Sequence, residues 1–201
     1  MTIRGVVHNT VCRCLAAAAL AAVWVVAAGS AAQDPPQLVA PTEPLAPEEQ
    51  QRLFRLPEGF RIELVASEPQ IHKPMNLNFD AQGRLYVTSS VEYPFAAPDD
   101  RPARDSLVRL EGQPLGSRVV PLVEGLNIPI GVTPTADGVI FHSIPRIYAA
   151  AAEPGQRLQQ ARPLYGEIGF RDTHGMANAF TRWVDGWIYA CHGFANNSEL
   201  R

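Results

Sequence analysis

Three stretches of this sequence repeat one short pattern at a spacing near 50 residues. They are Gly83–Thr88, Gly138–Ser143 and Gly186–Cys191; each begins with glycine, has an aromatic residue three positions later and follows an apolar run. The three glycines lie 55 and then 48 residues apart. A repeat of about 40–50 residues built from strand, turn and strand is typical of a β-propeller blade. The spacing therefore predicts an all-β fold with one sheet per repeat.

The residues between the repeats divide into further strands, which gives four strands to a blade. The predicted strands are 75–79, 84–90, 106–111 and 118–123 in the first blade, 129–134, 138–143, 146–151 and 160–165 in the second, and 176–181 and 186–191 in the third. Asp137-Gly138 and Asp185-Gly186 predict tight turns, because these residues tolerate positive φ. A further strand is predicted from Phe60 to Leu64, where apolar and charged residues alternate.

The predicted fold is a partial β-propeller of about two and a half blades. A propeller closes with about four to eight blades, and fewer would leave a long open sheet edge. We therefore expect the sequence to be the N-terminal fragment of a longer protein, with residues 58–201 forming the first part of the propeller. The alternative is a complete short protein that assembles with other chains.

The first 32 residues have the pattern of a secretory signal peptide. Arg4 and Arg13 precede a short apolar run, residues 15–28. Ser30-Ala31-Ala32 follows it and offers the small residues that a signal peptidase recognises. Cleavage before Gln33 would lower the formal net charge from −3 to −5, since the removed part carries two arginines and no acidic residue. We expect an exported protein, periplasmic or membrane-associated; an uncleaved anchor is the alternative.

Residues 33–57 are rich in proline, glutamate and glutamine and predict a flexible lead-in. Within it Pro47–Phe54 predicts two turns of helix, with proline at the first helical position and acidic residues in the first turn. The chain has no basic block, which excludes nucleic acid as an expected partner. It also has no Cys-x-x-Cys-His motif, so it carries no haem attachment site.

Several long motifs resemble one known family. They occupy residues 47–60, 63–69, 79–87, 89–93, 125–131 and 172–194, the last beginning Asp172-Thr173-His174-Gly175-Met176. Together they resemble the opening of the membrane-bound dehydrogenase domain that is abundant in planctomycetes. The resemblance covers about residues 45 to 201, nearly all of the chain after the predicted signal peptide.

The resemblance implies a β-propeller similar to the soluble quinoprotein sugar dehydrogenases. It implies oxidation of a sugar or other alcohol, with pyrroloquinoline quinone as the cofactor. In many members helical repeats and a cytochrome c domain follow the propeller, and such a domain is the expected electron-transfer partner. Members usually carry acidic calcium loops between the outer strands. The corresponding loops here hold one carboxylate each, Glu111 and Glu153, so no metal site is expected.

The geometry of a blade indicates where a site would lie. Its first two strands form a hairpin, so residues before the first strand and after the second meet at the end away from the glycine turn. This places Asp172 and His174 beside His192. His174 is the candidate catalytic base, because an imidazole near neutral pKa suits proton transfer and Asp172 could orient its ring. The alternative for His174 is a structural role between blades, and His192 is a weaker catalytic candidate.

Three further residues are candidates for binding a cofactor at the same end. Lys73 is expected near Glu92 in the first blade, and Arg146 on the same face from the second. Arg146 could bind a carboxylate of an anionic quinone. Polar groups that converge at one mouth of a channel are the default hypothesis for a binding site.

Three functions remain open from the sequence. The first is an exported quinoprotein-like dehydrogenase, for which this chain alone would be incompetent. The second is a non-catalytic propeller that binds glycans or proteins at the cell surface. The third is a lactonase-type hydrolase, which would need calcium at the channel centre. Cofactor binding separates the first from the second, and metal content would identify the third.

Overall fold

The computed structural model describes residues 43–151 and 161–200. The predicted signal peptide, and the lead-in as far as residue 42, lie outside the described residues. The described part of the chain is all-β apart from short helical pieces, as the repeat predicted. It contains no helix long and apolar enough to cross a membrane.

One α-helix and ten strands make up the regular structure of the described residues. They are α1 (Pro47–Leu53), β1 (Pro74–Phe79), β2 (Leu85–Ser89), β3 (Asp105–Glu111), β4 (Arg118–Leu126), β5 (Val132–Thr135), β6 (Gly138–Ser143), β7 (Arg146–Ala151), β8 (Arg162–Tyr165), β9 (Asn178–Arg182) and β10 (Ile188–Cys191). A single 3₁₀ turn, Thr173–Gly175, precedes β9. Helix α1 has proline at its start and Glu48 and Glu49 in its first turn, as its sequence predicts.

The strands form three antiparallel sheets in chain order. The first sheet is β1-β2-β3-β4, the second β5-β6-β7-β8, and the third the hairpin β9-β10. Each strand pairs with its neighbour in sequence, so all adjacent strands within a sheet are antiparallel. The observed fold is therefore a series of four, four and two antiparallel strands.

The strand predicted from Phe60 to Leu64 is wrong. These residues have no regular secondary structure, and Phe60 is largely exposed. The chain just beyond them instead packs on the outer face of the first sheet, where Val65 and Ala66 contact the buried cluster containing Val108 and Leu110. Alternation alone is insufficient for a strand, because a strand also needs a neighbour that satisfies its backbone groups.

The glycine turns differ from one another. Gly83 and Gly186 adopt φ of 75° and 89°, the left-handed region expected for such turns. Gly138 does not adopt positive φ; it is needed because a Cβ there would overlap the carbonyl of Ala150 in the neighbouring strand. The same sequence pattern thus serves a turn at two positions and a close backbone approach at the third.

The main core lies between the first two sheets. Tyr86 and Leu107 from the first sheet pack with Val132 and Phe141 from the second, and all four are essentially buried. Phe141 also stacks on Tyr148, with ring centroids 5.6 Å apart. A separate buried cluster, which includes Phe180 of β9, joins the third sheet to the second.

The first strands of the three sheets, β1, β5 and β9, lie side by side. The side-chain nitrogen Nδ2 of Asn78 in β1 donates to the carbonyl of Val132 in β5 and to the carbonyl of Phe180 in β9, each at 3.4 Å. Asn76 Oδ1 accepts from the backbone nitrogen of Val132 at 3.2 Å. These bonds fix the first strands of the three sheets relative to one another. They therefore also fix the loops that precede those strands.

Candidate functional site

Asp172 and His174 form a hydrogen-bonded pair at the entrance to β9. Asp172 caps the 3₁₀ turn, because its Oδ1 accepts from the backbone nitrogen of His174 at 3.0 Å. The same oxygen lies 3.2 Å from Nδ1 of the His174 ring. An ionised carboxylate can only accept hydrogen bonds, so this contact requires the proton on Nδ1. The other ring nitrogen, Nε2, is then left as a base or a ligand.

His174 lies at the wall of a small open cavity. Its side chain is 72% exposed, and the edge of its ring meets Tyr93 with the centroids 5.5 Å apart and the planes at 74°. The cavity has a volume of about 320 Å³ and is lined by Met75, Asn76, Tyr93, Ile130, Thr173, His174 and Asn178. The lining combines amide and hydroxyl groups with apolar side chains. This arrangement suits a small polar molecule with a carbon framework.

The loop carrying His174 is attached to its surroundings on two sides. Thr173 Oγ1 donates to the carbonyl of Pro94 at 2.7 Å, which joins it to the loop of Tyr93. On the other side the backbone nitrogen of Gly193 donates to the carbonyl of Gly175 at 2.8 Å. A Cβ on Gly193 would overlap the backbone of Gly175. The close approach therefore requires glycine at position 193.

His192 lies next to this glycine contact, so the structure brings its loop to the His174 loop as predicted from the hairpin geometry. The His192 ring, however, bonds elsewhere: its Nε2 lies 2.6 Å from Oγ of Ser198. The Ser198 oxygen also accepts from the backbone nitrogen of Gly169 at 2.8 Å. His192 is thus held by the chain that follows it.

Lys73 and Glu92 lie in neighbouring segments but do not act on one another. Lys73 Nζ donates to the carbonyls of Val91 and Tyr93, at 3.4 and 3.2 Å. It therefore supports the loop that carries Tyr93 from the side. The Glu92 side chain is only 3% exposed and bonds to two arginines instead.

Glu92 is the buried centre of an ion-pair cluster whose two arginines are partly exposed. Its carboxylate accepts from both Nη atoms of Arg101, at 2.7 and 2.5 Å, and from Nε of Arg104 at 3.0 Å. The hydrogen bonds from Arg101 and Arg104 lower the pKa of Glu92 to about 2. A carboxylate so fully engaged has no capacity left for a cofactor, and its role here is to fold the loop.

Asp105 anchors the same loop from beneath. Its buried carboxylate accepts from Ser90 Oγ at 2.7 Å and from the backbone nitrogens of Val91, Glu92 and Ile128 at 2.7, 3.1 and 2.8 Å. Asp105 was not predicted as a functional residue, because a single acidic residue at the start of a strand gives no distinctive signal in the sequence. Its bonds nevertheless determine where the Tyr93 loop lies.

Arg146 lies at a different place. Its Nη2 pairs with Glu167 at 3.0 Å, and both side chains are substantially exposed. Arg146 lines a separate cavity of about 260 Å³ with Tyr165 and Gly166, and it is not among the residues that line the His174 cavity. Lys73, Glu92 and Arg146 therefore do not line one common cavity with His174.

Besides Asp105, two residues that support the site were not identified from the sequence. Tyr93 gave no signal beyond its place in a family motif. Asn196 belongs to the pattern Asn196-Asn197-Ser198, which has the form of a glycosylation acceptor, but it is buried and bonds to the backbone of Asp172. Among the described residues no group of three or more His, Cys, Asp or Glu side chains lies close enough to hold a metal ion.

Comparison with known families places these features in one domain. Residues 46–200 match the family described as a domain of unknown function (DUF7133). The chain belongs to this family. The match runs from the start of α1 through all ten described strands and includes the His174 site. No curated protein and no solved structure matches the chain.

Proposed function

We propose that this DUF7133 domain is part of an exported dehydrogenase, in which His174, oriented by Asp172, removes the proton from a hydroxyl group of a sugar or other alcohol. The observation that supports this most directly is the bond between Asp172 Oδ1 and His174 Nδ1 at the wall of a cavity. A base whose ring is oriented by a carboxylate is a common arrangement for general-base catalysis.

The pair can perform the proton step without rearrangement. With the proton on Nδ1 held by Asp172, the Nε2 lone pair of His174 accepts the substrate proton. The imidazolium that results is stabilised by the adjacent carboxylate. Asn76 and Asn178 line the same cavity and supply amide groups that could bind other hydroxyls of the substrate.

The oxidant is assigned by resemblance alone. When bound, the quinone that the dehydrogenase resemblance implies would supply the acceptor for the hydride that leaves the carbon bearing the hydroxyl. Because Lys73, Glu92 and Arg146 do not line one common cavity with His174, the proposal concerns only the base and the hydroxyl group. Three successive sheets with adjacent first strands support the partial-propeller interpretation, in which this cavity lies at one end of the inner strands.

Turnover with an artificial acceptor tests the proposal. The full-length protein, loaded with pyrroloquinoline quinone, is incubated with a panel of sugars and simple alcohols and a redox dye. We expect dye reduction by the wild type and a loss of about 10²–10⁴ in kcat for His174→Gln. His72→Gln, an exposed histidine elsewhere, is the matched control and should retain full turnover. Absence of turnover with every substrate, or full turnover in His174→Gln, would refute the proposal.

A glycan-binding propeller is the second candidate, and one observation favours it. Trp183, Trp187 and Tyr189 of the third hairpin are each more than half exposed. Exposed aromatic faces are suited to stacking against sugar rings. Calorimetric titration with oligosaccharides distinguishes the two functions. Binding that Trp187→Ala abolishes and His174→Gln does not, without turnover, would favour this second function.

A further inference from the structure

The chain that follows β10 runs back along the segment that leads to His174. The backbone nitrogen of Glu199 donates to the carbonyl of Glu167 at 3.1 Å, and the backbone nitrogen of Gly169 donates to Ser198 Oγ at 2.8 Å. We call residues 196–199 the return segment. It lies so close to the earlier segment that a Cβ on Gly169 would overlap its backbone.

Asn196 makes a reciprocal pair of bonds with the backbone of Asp172. Its Oδ1 accepts from the Asp172 nitrogen at 2.9 Å, and its Nδ2 donates to the Asp172 carbonyl at 2.7 Å. Asn196 is 6% exposed, so these bonds are shielded from water. Because both backbone polar groups of Asp172 are hydrogen-bonded to Asn196, the backbone of Asp172 is restrained and only its side-chain torsions can vary. Its carboxylate is then held where His174 Nδ1 can bond to it.

The same segment holds the second histidine. Ser198 Oγ receives the Gly169 bond and lies 2.6 Å from His192 Nε2. Each histidine is thus fixed through one side chain of the return segment, His174 indirectly by Asn196 and His192 directly by Ser198. The side chain of Asn197, between them, is exposed.

We propose that Asn196 is a positioning residue that fixes Asp172 so that His174 carries its proton on Nδ1 and presents Nε2 to the cavity. This inference rests on the proposed function, because it assigns Asn196 a role in that same site. Both polar atoms of the Asn196 side chain are engaged, so its Asn-x-Ser pattern serves this contact rather than glycosylation. Without Asn196, the Asp172 nitrogen loses its acceptor and the Asp172 carbonyl keeps only the bond from the Gly175 nitrogen at 3.2 Å. The direction of the carboxylate then depends on its bond from the His174 nitrogen alone.

The proton position on the ring gives a direct test. Long-range ¹H–¹⁵N correlation spectra distinguish the Nδ1-H and Nε2-H forms of each neutral histidine, and they are recorded near pH 8, where histidine is mostly neutral. We expect the Nδ1-H pattern for His174 in the wild type. Asn196→Ala should convert it largely to Nε2-H, and so should Asn196→Asp, which replaces the donating amide with a charged oxygen that faces the Asp172 carbonyl. Asn197→Ala is the matched control and should leave the pattern unchanged.

The ring of His142, buried in β6, reports within the same spectra on whether each variant remains folded. In folded Asn196→Asp we also expect kcat to fall by roughly 10²-fold, as for a misplaced catalytic group, with KM little changed. His174 in the Nε2-H form in the wild type, or in the Nδ1-H form in either folded Asn196 variant, would overturn the inference. Since the spectra need no substrate, a shift in proton position without any alcohol oxidation would support the positioning role and refute the proposed dehydrogenase.

Discussion

The side-chain amide of Asn78 lies 3.4 Å from the carbonyl of Phe180, a residue 102 positions further along the chain. The same amide nitrogen reaches the carbonyl of Val132, so one side chain bonds to the first strands of the two following sheets. It thereby links all three sheets. The position of the His174 loop depends on this link, because that loop leads into β9.

Asn78→Ala should lower the free energy of unfolding by about 1–2 kcal/mol, since it leaves partly buried carbonyls without a donor. Denaturant unfolding followed by fluorescence measures the change. Asn197→Ala removes an exposed amide and should alter stability by less than about 0.5 kcal/mol. Equal stability of the two variants would show that the hydrogen bonds from Asn78 to the other two sheets do not contribute to the free energy of unfolding.

Glu92 should make stability depend on acid below about pH 4.5. Its pKa is lowered from 4.5 to about 2 in the folded protein, so the unfolded chain binds more protons as the pH falls through this window. The stabilisation from Glu92 is complete above the unfolded pKa and is lost as the pH falls towards 2. Urea unfolding of wild type and Glu92→Gln should show a difference at pH 7 that shrinks through this range. A difference that stays constant with pH would contradict this account.

His142 should make the free energy of unfolding depend on pH in a second range, which lies above that of Glu92. Burial lowers its pKa from 6.5 to about 4; the Ile128 backbone acts in the opposite direction but does not reach hydrogen-bonding geometry with the ring. The unfolded chain therefore binds a proton that the folded protein does not, and stability falls as the pH drops from about 6.5 to about 4, by up to about 3 kcal/mol.

His142→Leu tests this dependence, because it removes two ring nitrogens that have no partner and keeps an apolar side chain in the core. Its stability should vary little between pH 7 and pH 5, whereas that of the wild type declines. A parallel decline in both proteins would assign the dependence to another group.

Gly193→Ala should disturb the site more than Gly186→Ala. A Cβ at position 193 would overlap the backbone of Gly175, whereas at position 186 it meets nothing within 4 Å and the cost is only that of a φ of 89°. We expect Gly186→Ala to cost about 1 kcal/mol of stability. Gly193→Ala should additionally shift the amide resonances of His174 and its neighbours. Unchanged resonances in Gly193→Ala would exclude the close approach of the two loops.

The sequence predicted the strands well and the side-chain contacts poorly. Ten predicted strands lie within a few residues of the observed ones, because glycine turns and apolar runs are local signals. The strand at Phe60–Leu64 failed because pairing depends on a neighbour that local alternation does not reveal. Tyr189 occupies the same place in its repeat as Tyr86 and Phe141, but it is exposed where they are buried, because burial depends on packing that the repeat does not encode.

The candidate site was predictable in part for the same reason. Asp172 and His174 are two residues apart, so their bond follows from a local turn. Glu92 was expected near Lys73, but its carboxylate bonds to Arg101 and Arg104, which the path of a loop brings to it. The bonds of Asn196 to Asp172 span 24 residues and depend on how the return segment packs.

The central claim is that Asp172 and His174 act as one catalytic unit, and a double-mutant cycle on kcat of the full-length protein tests it most directly. We expect Asp172→Asn and His174→Ala each to lower kcat for alcohol oxidation, His174→Ala by about 10²–10⁴, and the double variant to be no slower than His174→Ala alone. That result would show that Asp172 acts only through the imidazole. Losses that multiply in the double variant, or single variants that turn over like the wild type, would contradict it.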